Sequence, residues 1–467
     1  MNKIKTLSST LLFFLFFSSS AIAFDAGEHA LIGDIGFTQA NNNYPNSIKN
    51  LETDISFSYG QLIAMSGDMY VSVEEISLDD PGFFNGFFNR NRNSLKKCIN
   101  KEIEAIRTKE FYTGCDDVDF AKKKIQYVAL AHDNYSHFAW HNVKKYIELH
   151  TKALWFAKLA YLKCTDAQQK NIKNLCEKKH EQLLDEIAAS DYRSKQKSKY
   201  RNFPKLFPRK RFTKRYLLEM PKEKMIRLAL FTNAFADHYL TDTFSAGHLR
   251  VPRSQIDQFV ETYEQENKSN KREEGSSVSG ALTQYLHNLD GSLTGIPVTN
   301  SLGDQFIIRS DKQLFSKENS QRLSGIVEKN EQLRQPTQAV KKSVQEVFSM
   351  IDKGNVGTLN AEFSSLKHVP FVVDPKLNSL ASRVEQHIAE HGSIKKAIKS
   401  MSSEMQVIYR SSMVVEDISY KEYFKHFVKS IPDMMKDLRT QIVSESENET
   451  IRKRIPEKLM IALKKLN

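Results

Sequence analysis

Two histidines and an aspartate stand close together between residues 238 and 248. His238 and Asp242 are four residues apart, so a helix places both side chains on one face, about one turn from each other. His248 follows directly after Gly247, a residue at which a helix can end and the chain can turn. Imidazole and carboxylate groups are typical zinc ligands, and a carboxylate between two histidines can bridge two ions. The motif therefore predicts a metal site.

Further candidate ligands of the same two donor types lie elsewhere in the first 300 residues. They are His29, Asp68, His137, His287 and Asp290. Any one of them alone is more often a packed or hydrogen-bonded group than a metal ligand. Together with the motif at 238–248 they make five histidines and three aspartates. That is a multi-metal set if the fold brings the side chains together.

Helical periodicity dominates the segments that must position these residues. Apolar residues recur at steps of three and four in residues 122–163, 224–244, 337–352, 376–400 and 419–442. The 467 residues are 40% hydrophobic and 27% charged, as in globular proteins, and 18 Gly and 12 Pro argue against a turn-rich all-β protein. We expect a mainly α fold with a catalytic domain over 24–310 and a helical C-terminal domain of unknown role over 311–467.

The first 23 residues have the pattern of a secretory signal peptide. Lys3 and Lys5 precede an apolar run at 11–17, and small residues of the A-x-A type end at Ala23. The run is too short to span a membrane, and no later run of about 18 apolar residues follows. We therefore expect a mature chain that begins at Phe24 and is exported, either to a periplasm or out of the cell.

Export changes the interpretation of the cysteines. The chain has four, namely Cys98, Cys115, Cys164 and Cys176. An even number in an oxidising compartment favours disulfides, for which three pairings are possible, and sequence proximity favours 98–115 and 164–176. The cysteines lack metal-knuckle spacing, so we expect no cysteine–zinc site.

Three stretches have the composition of loops or linkers. Residues 193–224 hold 13 Lys or Arg, and residues 265–280 are polar, rich in Gly and Ser, and expected to be flexible. Residues 79–93 place four aromatic rings among Pro, Gly and Asn: Phe83, Phe84, Phe87 and Phe88. We expect these rings to enter the lipid headgroup boundary, with the basic stretch adding attraction to anionic lipid. The alternative is that the rings cap the core and the basic stretch is a solvated insert.

The candidate ligands resemble those of the zinc-dependent phospholipase C superfamily, which also contains the single-strand-specific zinc nucleases. His238, Asp242 and His248 match its H-x3-D-x5-H motif in type and spacing. Phe24 and His29 keep the spacing of the nuclease branch between an N-terminal tryptophan and a ligand histidine, with Phe in place of Trp.

Two more matches and one departure complete the resemblance. His137 stands in a Ser-His-Phe sequence like that around another ligand histidine of the superfamily, and Asp68 fits its early ligand aspartate. Much of the superfamily ends its motif with a carboxylate four residues after the last histidine, whereas here that residue is Gly291 and the carboxylate is Asp290. Residues three apart still share a helix face, so Asp290 is retained as a candidate. The stretches HFAWHNV, DTFSAGHLRVPR and LHNLDGSLTG are closer to the secreted bacterial broad-substrate phospholipases C, and the resemblance covers roughly 24–310.

The resemblance implies a mainly helical fold and three zinc ions. The first ion would take Asp68, His137, His238 and Asp242. The second would take His248, His287 and Asp290. The third would take His29, Asp242, and the free amine and carbonyl oxygen of Phe24. Zinc lowers the pKa of a bound water from about 15.7 to about 7, so hydroxide would attack phosphorus, with Asp68 also steering the proton of the water.

Three functions are compatible with these features. The leading one is an exported zinc phospholipase C that cleaves glycerophospholipids, such as phosphatidylcholine, to diacylglycerol and a phosphorylated headgroup at a membrane surface. The second is a single-strand nuclease or phosphatase on the same metals. The formal net charge of +12 suits nucleic acid and anionic lipid surfaces equally, and nucleic acid is not the expected partner. The third is a non-enzymatic exported protein that adheres to membranes, with structural metals. The sequence leaves headgroup preference and oligomeric state open.

Overall fold

The fold is described from a computed structural model of the chain. It describes residues 26–41, 44–70, 72–78, 85–108, 134–162, 178, 181–182, 212, 214–266, 272–291, 295–309, 331–354, 361–376, 378–400 and 420–467. Several predicted features lie outside these residues: the signal peptide, Phe24, Phe83, Phe84, Cys115, Cys164 and Cys176. Cys98 is buried in the core, and the disulfides stay a prediction.

Sixteen α-helices make up most of the described chain, which confirms the mainly α fold. The first eight are α1 (Ala26–Ala40), α2 (Tyr59–Met65), α3 (Val73–Ser77), α4 (Asn85–Thr108), α5 (Trp140–Tyr161), α6 (Lys214–Glu219), α7 (Lys222–Asp242) and α8 (Ala246–Leu249). The others are α9 (Arg253–Glu266), α10 (Arg272–Asp290), α11 (Glu331–Lys353), α12 (Leu380–His391), α13 (Ile394–Lys399), α14 (Tyr420–Ser446), α15 (Glu449–Arg452) and α16 (Glu457–Leu463). Among the described helices, none combines the length and the hydrophobicity needed to cross a bilayer.

Two small antiparallel sheets accompany the helices. Strands β1 (Ser47–Lys49) and β2 (Ser56–Ser58) pair with each other. A second sheet has the order β4–β3–β5, from β3 (Ile296–Thr299), β4 (Gln305–Ile308) and β5 (Phe371–Val372). Its alternating apolar residues form a separate small core with α8, the helix that carries His248. The sheet therefore packs against the helix that carries one candidate ligand, His248.

Helix α7 lies at the centre of the molecule, packed against α5, α2 and α11. Every residue from Leu228 to Asp242 is buried, so this stretch is enclosed on all sides, as expected for a central core helix. The same hydrophobic cluster contains Leu31 of α1, Val344 of α11 and Leu438 of α14. The core therefore runs across the boundary predicted at residue 310.

Three local predictions differ from the structure. The helix predicted over 122–163 is interrupted by a 3-10 turn (Asn134–His137) and by Ala139, which has φ 49° and ψ −129°, before α5 begins at Trp140; residues 122–133 lie outside the described part of the chain. The segment 265–280, expected to be flexible, is helical from Arg272 onward, where α10 packs against α9. Helix α4 begins at Asn85, so the backbone of Phe87 and Phe88 is helical rather than a loop. In each case tertiary contacts or chain geometry outweigh local composition.

Candidate metal centre

Helix α7 presents the first two groups of the site. His238 and Asp242 lie one turn apart on its buried face, and neither side chain is exposed. The ring of His238 donates from Nδ1 to the carbonyl oxygen of Ile63 in α2, at 3.1 Å. This bond leaves Nε2 unprotonated, 3.2 Å from Nδ1 of His137 and 3.8 Å from Oδ2 of Asp242.

His29 approaches the same carboxylate from α1. The hydroxyl of Thr241 donates to backbone carbonyl oxygens of its own helix, so its oxygen accepts a hydrogen bond from Nδ1 of His29 at 2.8 Å. The other nitrogen of His29, Nε2, lies 3.5 Å from Oδ1 of Asp242. Hydrogen bonds thus set the ring orientation of both His29 and His238, as is usual for metal-binding histidines.

Asp68 and His137 reach the site from turns rather than from helices. Asp68 follows Gly67, which has φ +75° and lies so close to His238 that an added Cβ would stand 2.6 Å from the ring. Glycine is required here for both reasons, the backbone conformation and the close approach. His137 ends the 3-10 turn before α5.

The five side chains His29, Asp68, His137, His238 and Asp242, here named the five-residue cluster, converge. Nδ1 of His137 is 2.9 Å from Oδ2 of Asp242, 3.2 Å from Nε2 of His238 and 3.9 Å from Oδ1 of Asp68. Nε2 of His238 is 3.7 Å from Oδ2 of Asp68. Two triples have all ligand atoms within 4.8 Å: His29, Asp68 and His238, and His137, His238 and Asp242.

Burial keeps the histidines of this cluster neutral. It lowers the pKa of His29 to about 3, with a smaller contribution from the nearby His137, and it lowers the pKa of His137 and, strongly, that of His238. A neutral imidazole is the form that binds a metal ion. Nitrogen and oxygen donors that converge in a buried space, with negative charge supplied by two carboxylates, fit zinc. The cluster is therefore a potential metal site.

His248 and His287, here named the two-histidine pair, stand beside the five-residue cluster. Their rings are 5.2 Å apart, and the ring of His248 is 6.3 Å from that of His137. Nδ1 of His248 donates to the carbonyl oxygen of His137 at 2.9 Å. Its Nε2 is buried and has no hydrogen-bond partner within the described part of the chain. Gly247 packs directly on the ring of His287, where a Cβ would overlap it.

The structure gives Asp290 partners other than the two-histidine pair. Arg250 donates to both of its carboxylate oxygens, from Nε and Nη2 at 2.8 Å each, and Nε of Arg383 lies 3.3 Å from Oδ1. Arg250 and Asp290 are both buried. Asp290 is therefore the partner of a bidentate arginine in this structure, and its place in a second metal site stays a prediction.

Several groups around the site were not singled out by the sequence. Arg250 is two residues beyond His248 and Asn142 is five beyond His137, but nothing in their spacing distinguishes them from ordinary surface residues. A second buried polar group lies behind His238 on α7, where Asp237 accepts from Tyr59 and from Ser343 of α11 at 2.7 and 2.6 Å. One indication of this buried polar group was present in the sequence. Asp237 stands next to His238, and consecutive polar residues in an otherwise apolar helix indicate that polar groups meet in the interior.

The chain was also compared with known proteins. No family model matches it, and no curated protein or solved structure gives a significant match. The resemblance described above therefore rests on the residues of the chain.

Proposed function

We propose that the protein is an exported zinc-dependent phospholipase C that hydrolyses glycerophospholipids to diacylglycerol and a phosphorylated headgroup. The observation that carries the proposal is the five-residue cluster, in which three imidazoles and two carboxylates from four separate segments meet in a largely buried space. Such a set is costly to bury unless a cation balances it. The match of these same residues to the superfamily motif selects phosphoric ester hydrolysis among the reactions that zinc supports.

Each residue of the cluster has a definable task. His29, His137, His238 and Asp242 are buried and would hold zinc ions, with Asp242 able to serve two because each of its oxygens faces a different histidine. When bound, zinc supplies a Lewis acid that yields hydroxide at neutral pH and neutralises charge on phosphoryl oxygens. Asp68 is the most exposed member, with 14% of its side chain accessible. It therefore stands where substrate and water would enter and is suited to accept a proton.

A lipid substrate is favoured by the rest of the chain. The excess of 68 Lys and Arg over 56 Asp and Glu would attract the protein to anionic lipid, by about 1 kcal/mol for each well-placed cation, but it suits nucleic acid equally, so the preference for lipid rests on the phenylalanines. The four phenylalanines Phe83, Phe84, Phe87 and Phe88 are proposed to add apolar contact with the headgroup region, at about 25 cal/mol per Å² of buried apolar surface.

The direct test is hydrolysis of three substrates by the purified mature protein, with and without a chelator. They are phosphatidylcholine vesicles, single-stranded DNA and a soluble phosphate monoester. We expect diacylglycerol from the vesicles, loss of activity with the chelator and recovery with added zinc. Chelator-sensitive cleavage of DNA alone would instead assign the site to a nuclease. Activity on none of the three, from protein that retains zinc, would favour a non-enzymatic membrane-adhering role.

A second test concerns the N-terminus. Removal of the signal peptide after Ala23 would leave an α-amine on Phe24, with a pKa near 7.7–8.0, from which zinc can displace the proton. The amine and the carbonyl oxygen of Phe24 would chelate the ion that His29 and Asp242 hold. A chain beginning at Phe24 is compared with one carrying Gly-Ser ahead of it. The extended chain is expected to fold, to lose one zinc and to lose most of its turnover, whereas equal zinc content would exclude N-terminal ligation.

A further inference from the structure

The turn that carries His137 and the helix that carries His248 are joined by hydrogen bonds to each other's backbone carbonyl oxygens. The amide of Ala139 donates to the carbonyl oxygen of His248 at 2.7 Å. In return, the ring of His248 donates to the carbonyl oxygen of His137. The five-residue cluster and the two-histidine pair are therefore joined by reciprocal hydrogen bonds between the segments that supply them.

Ala139 adopts an unusual backbone conformation in making this connection. Its φ of 49° is the only positive value among the non-glycine residues that the structure describes. Together with ψ of −129° this is a conformation that side chains with a Cβ disfavour by about 1–3 kcal/mol, and it persists only where surrounding contacts enforce it. Some neighbouring group must hold the turn in place.

Asn142 is the side chain that meets this requirement. It lies near the start of α5, 1% exposed, and its Nδ2 donates to the carbonyl oxygens of both His137 and His248, at 3.0 and 3.4 Å. Its Oδ1 accepts from the amide of Val143 at 2.7 Å. A carboxamide is the one common side chain of this size with two N–H donors on one nitrogen. Asparagine therefore connects the two carbonyl oxygens, whereas an aspartate at the same position would repel both.

We propose that Asn142 is a positioning residue that sets the distance between the five-residue cluster and the two-histidine pair. The inference rests on the proposed zinc function. The five-residue cluster and the two-histidine pair depend on Asn142 to different extents. His29 and His238 have their own hydrogen bonds to Thr241 and Ile63, whereas the ring of His248 takes its orientation from the carbonyl oxygen that Asn142 also holds. Loss of Asn142 thus disturbs metal binding at the two-histidine pair more than at the five-residue cluster.

The test is a zinc titration of the metal-free full-length mature chain, followed by calorimetry, for wild type and for Asn142→Asp. The substitution keeps the size of the side chain and removes both donors. We expect the weakest class of zinc sites to lose about 10- to 100-fold in affinity, the usual effect of removing a group that orients a ligand, while the tighter class is nearly unchanged. Asn142→Ser, which retains one donor, gives an intermediate loss and serves if the aspartate variant does not fold.

Asn50 provides the matched control. It is also 1% exposed and also donates from Nδ2 to a backbone carbonyl oxygen, that of Ile76 at 2.9 Å, but it lies in a loop that contributes no candidate ligand. Asn50→Asp is expected to lower the midpoint temperature of thermal unfolding and to leave the zinc affinities unchanged. Equal zinc binding by wild type and Asn142→Asp, or an equal loss in Asn50→Asp, would overturn the role of Asn142. A wild-type chain that binds no zinc would overturn the proposed function and this inference with it.

Discussion

The five-residue cluster and the two-histidine pair begin from similar sequence signals but differ in what their carboxylates do. In the cluster, Asp242 lies 2.9–3.8 Å from three imidazoles. Beside the pair, the corresponding carboxylate of Asp290 is bound on both oxygens by Arg250. The two carboxylates are equally buried. Equal burial therefore accompanies different surroundings, with imidazoles around Asp242 and a guanidinium against Asp290.

This difference predicts unequal affinity for zinc. The cluster offers two carboxylates and three imidazoles, whereas the pair offers two imidazoles beside a guanidinium that is already paired. Negative charge strengthens the binding of a divalent cation, so zinc should leave the pair first when a chelator is added in steps. The four predictions that follow are ordered from the largest expected effect to the smallest.

Asp242→Asn should have the largest effect, because it removes the negative charge shared by three histidines while keeping the shape of the side chain. We expect zinc to be lost from the cluster and the hydrolysis rate to fall by at least the roughly 10²- to 10³-fold typical of removing one electrostatic stabiliser. Asp290→Asn is the matched variant and should retain the zinc of the cluster, by elemental analysis. Full zinc content in Asp242→Asn would remove the carboxylate from the site.

Arg250→Met tests the role of the other carboxylate, that of Asp290, by removing its bidentate arginine partner. It leaves a buried charge with only the partial support of Arg383, so we expect the free energy of unfolding to fall by about 3–5 kcal/mol. The double variant Arg250→Met/Asp290→Leu should recover much of this loss, since neither charge then remains. Urea unfolding of the two single variants and the double variant measures the coupling. A negligible loss in Arg250→Met would contradict the paired role of the two residues.

The stability of the metal-free protein should fall as the pH decreases below about 6.5. In the folded protein burial lowers the pKa of four histidines of the site, His29, His137, His238 and His248, and of three described histidines elsewhere, His141, His368 and His387. In the unfolded chain they take up protons below about 6.5, so each contributes up to about 1.4 kcal/mol per pH unit. Asp237 acts in the opposite direction, because burial raises its pKa to about 7 and it releases a proton on unfolding.

Unfolding near pH 5 therefore takes up several protons in total, because these seven histidines gain protons and Asp237 releases one. Urea unfolding in chelator at pH 7, 6 and 5 checks the slope. Saturating zinc should hold the protein folded further into acid, because the ion competes with protons for the same nitrogens. Stability that is constant or rising toward pH 5 would contradict the neutral state of the buried histidines.

Three Gly→Ala variants should have the smallest effects on stability and zinc binding, and they should distinguish the five-residue cluster from the two-histidine pair. In Gly67→Ala the Cβ meets His238 at a residue with φ +75°, and in Gly247→Ala it meets His287. We expect each to cost about 1–3 kcal/mol and to weaken zinc at the cluster and at the pair, respectively. Gly280→Ala is the control, since its Cβ has open space within helix α10, and it should stabilise by about 0.5–1 kcal/mol. A loss of zinc in the control would undermine the assignment.

The fold class followed from the sequence wherever local periodicity was strong. The buried helix α7 covers the apolar segment predicted at 224–244, and the spacing of His238 and Asp242 was sufficient to place them on one face. Helix faces are predictable because backbone hydrogen bonds join residues only four apart. The turn at His137 and the helix at 272–290 were not predicted, since the first depends on a bond to His248 and the second on packing against α9.

The sequence by itself determined the donor types and the helix-face geometry of the site, but not which side chains meet. Asp68, His137 and His238 are separated by 69 and 101 residues, and only the packing of α1, α2, α5 and α7 brings them together. The pairing of Asp290 with Arg250, across 40 residues, was likewise decided by tertiary structure. The spacing of residues in a helix determines the direction of their side chains over one or two turns. A contact between distant segments depends on the packing of the whole core, which no short motif determines.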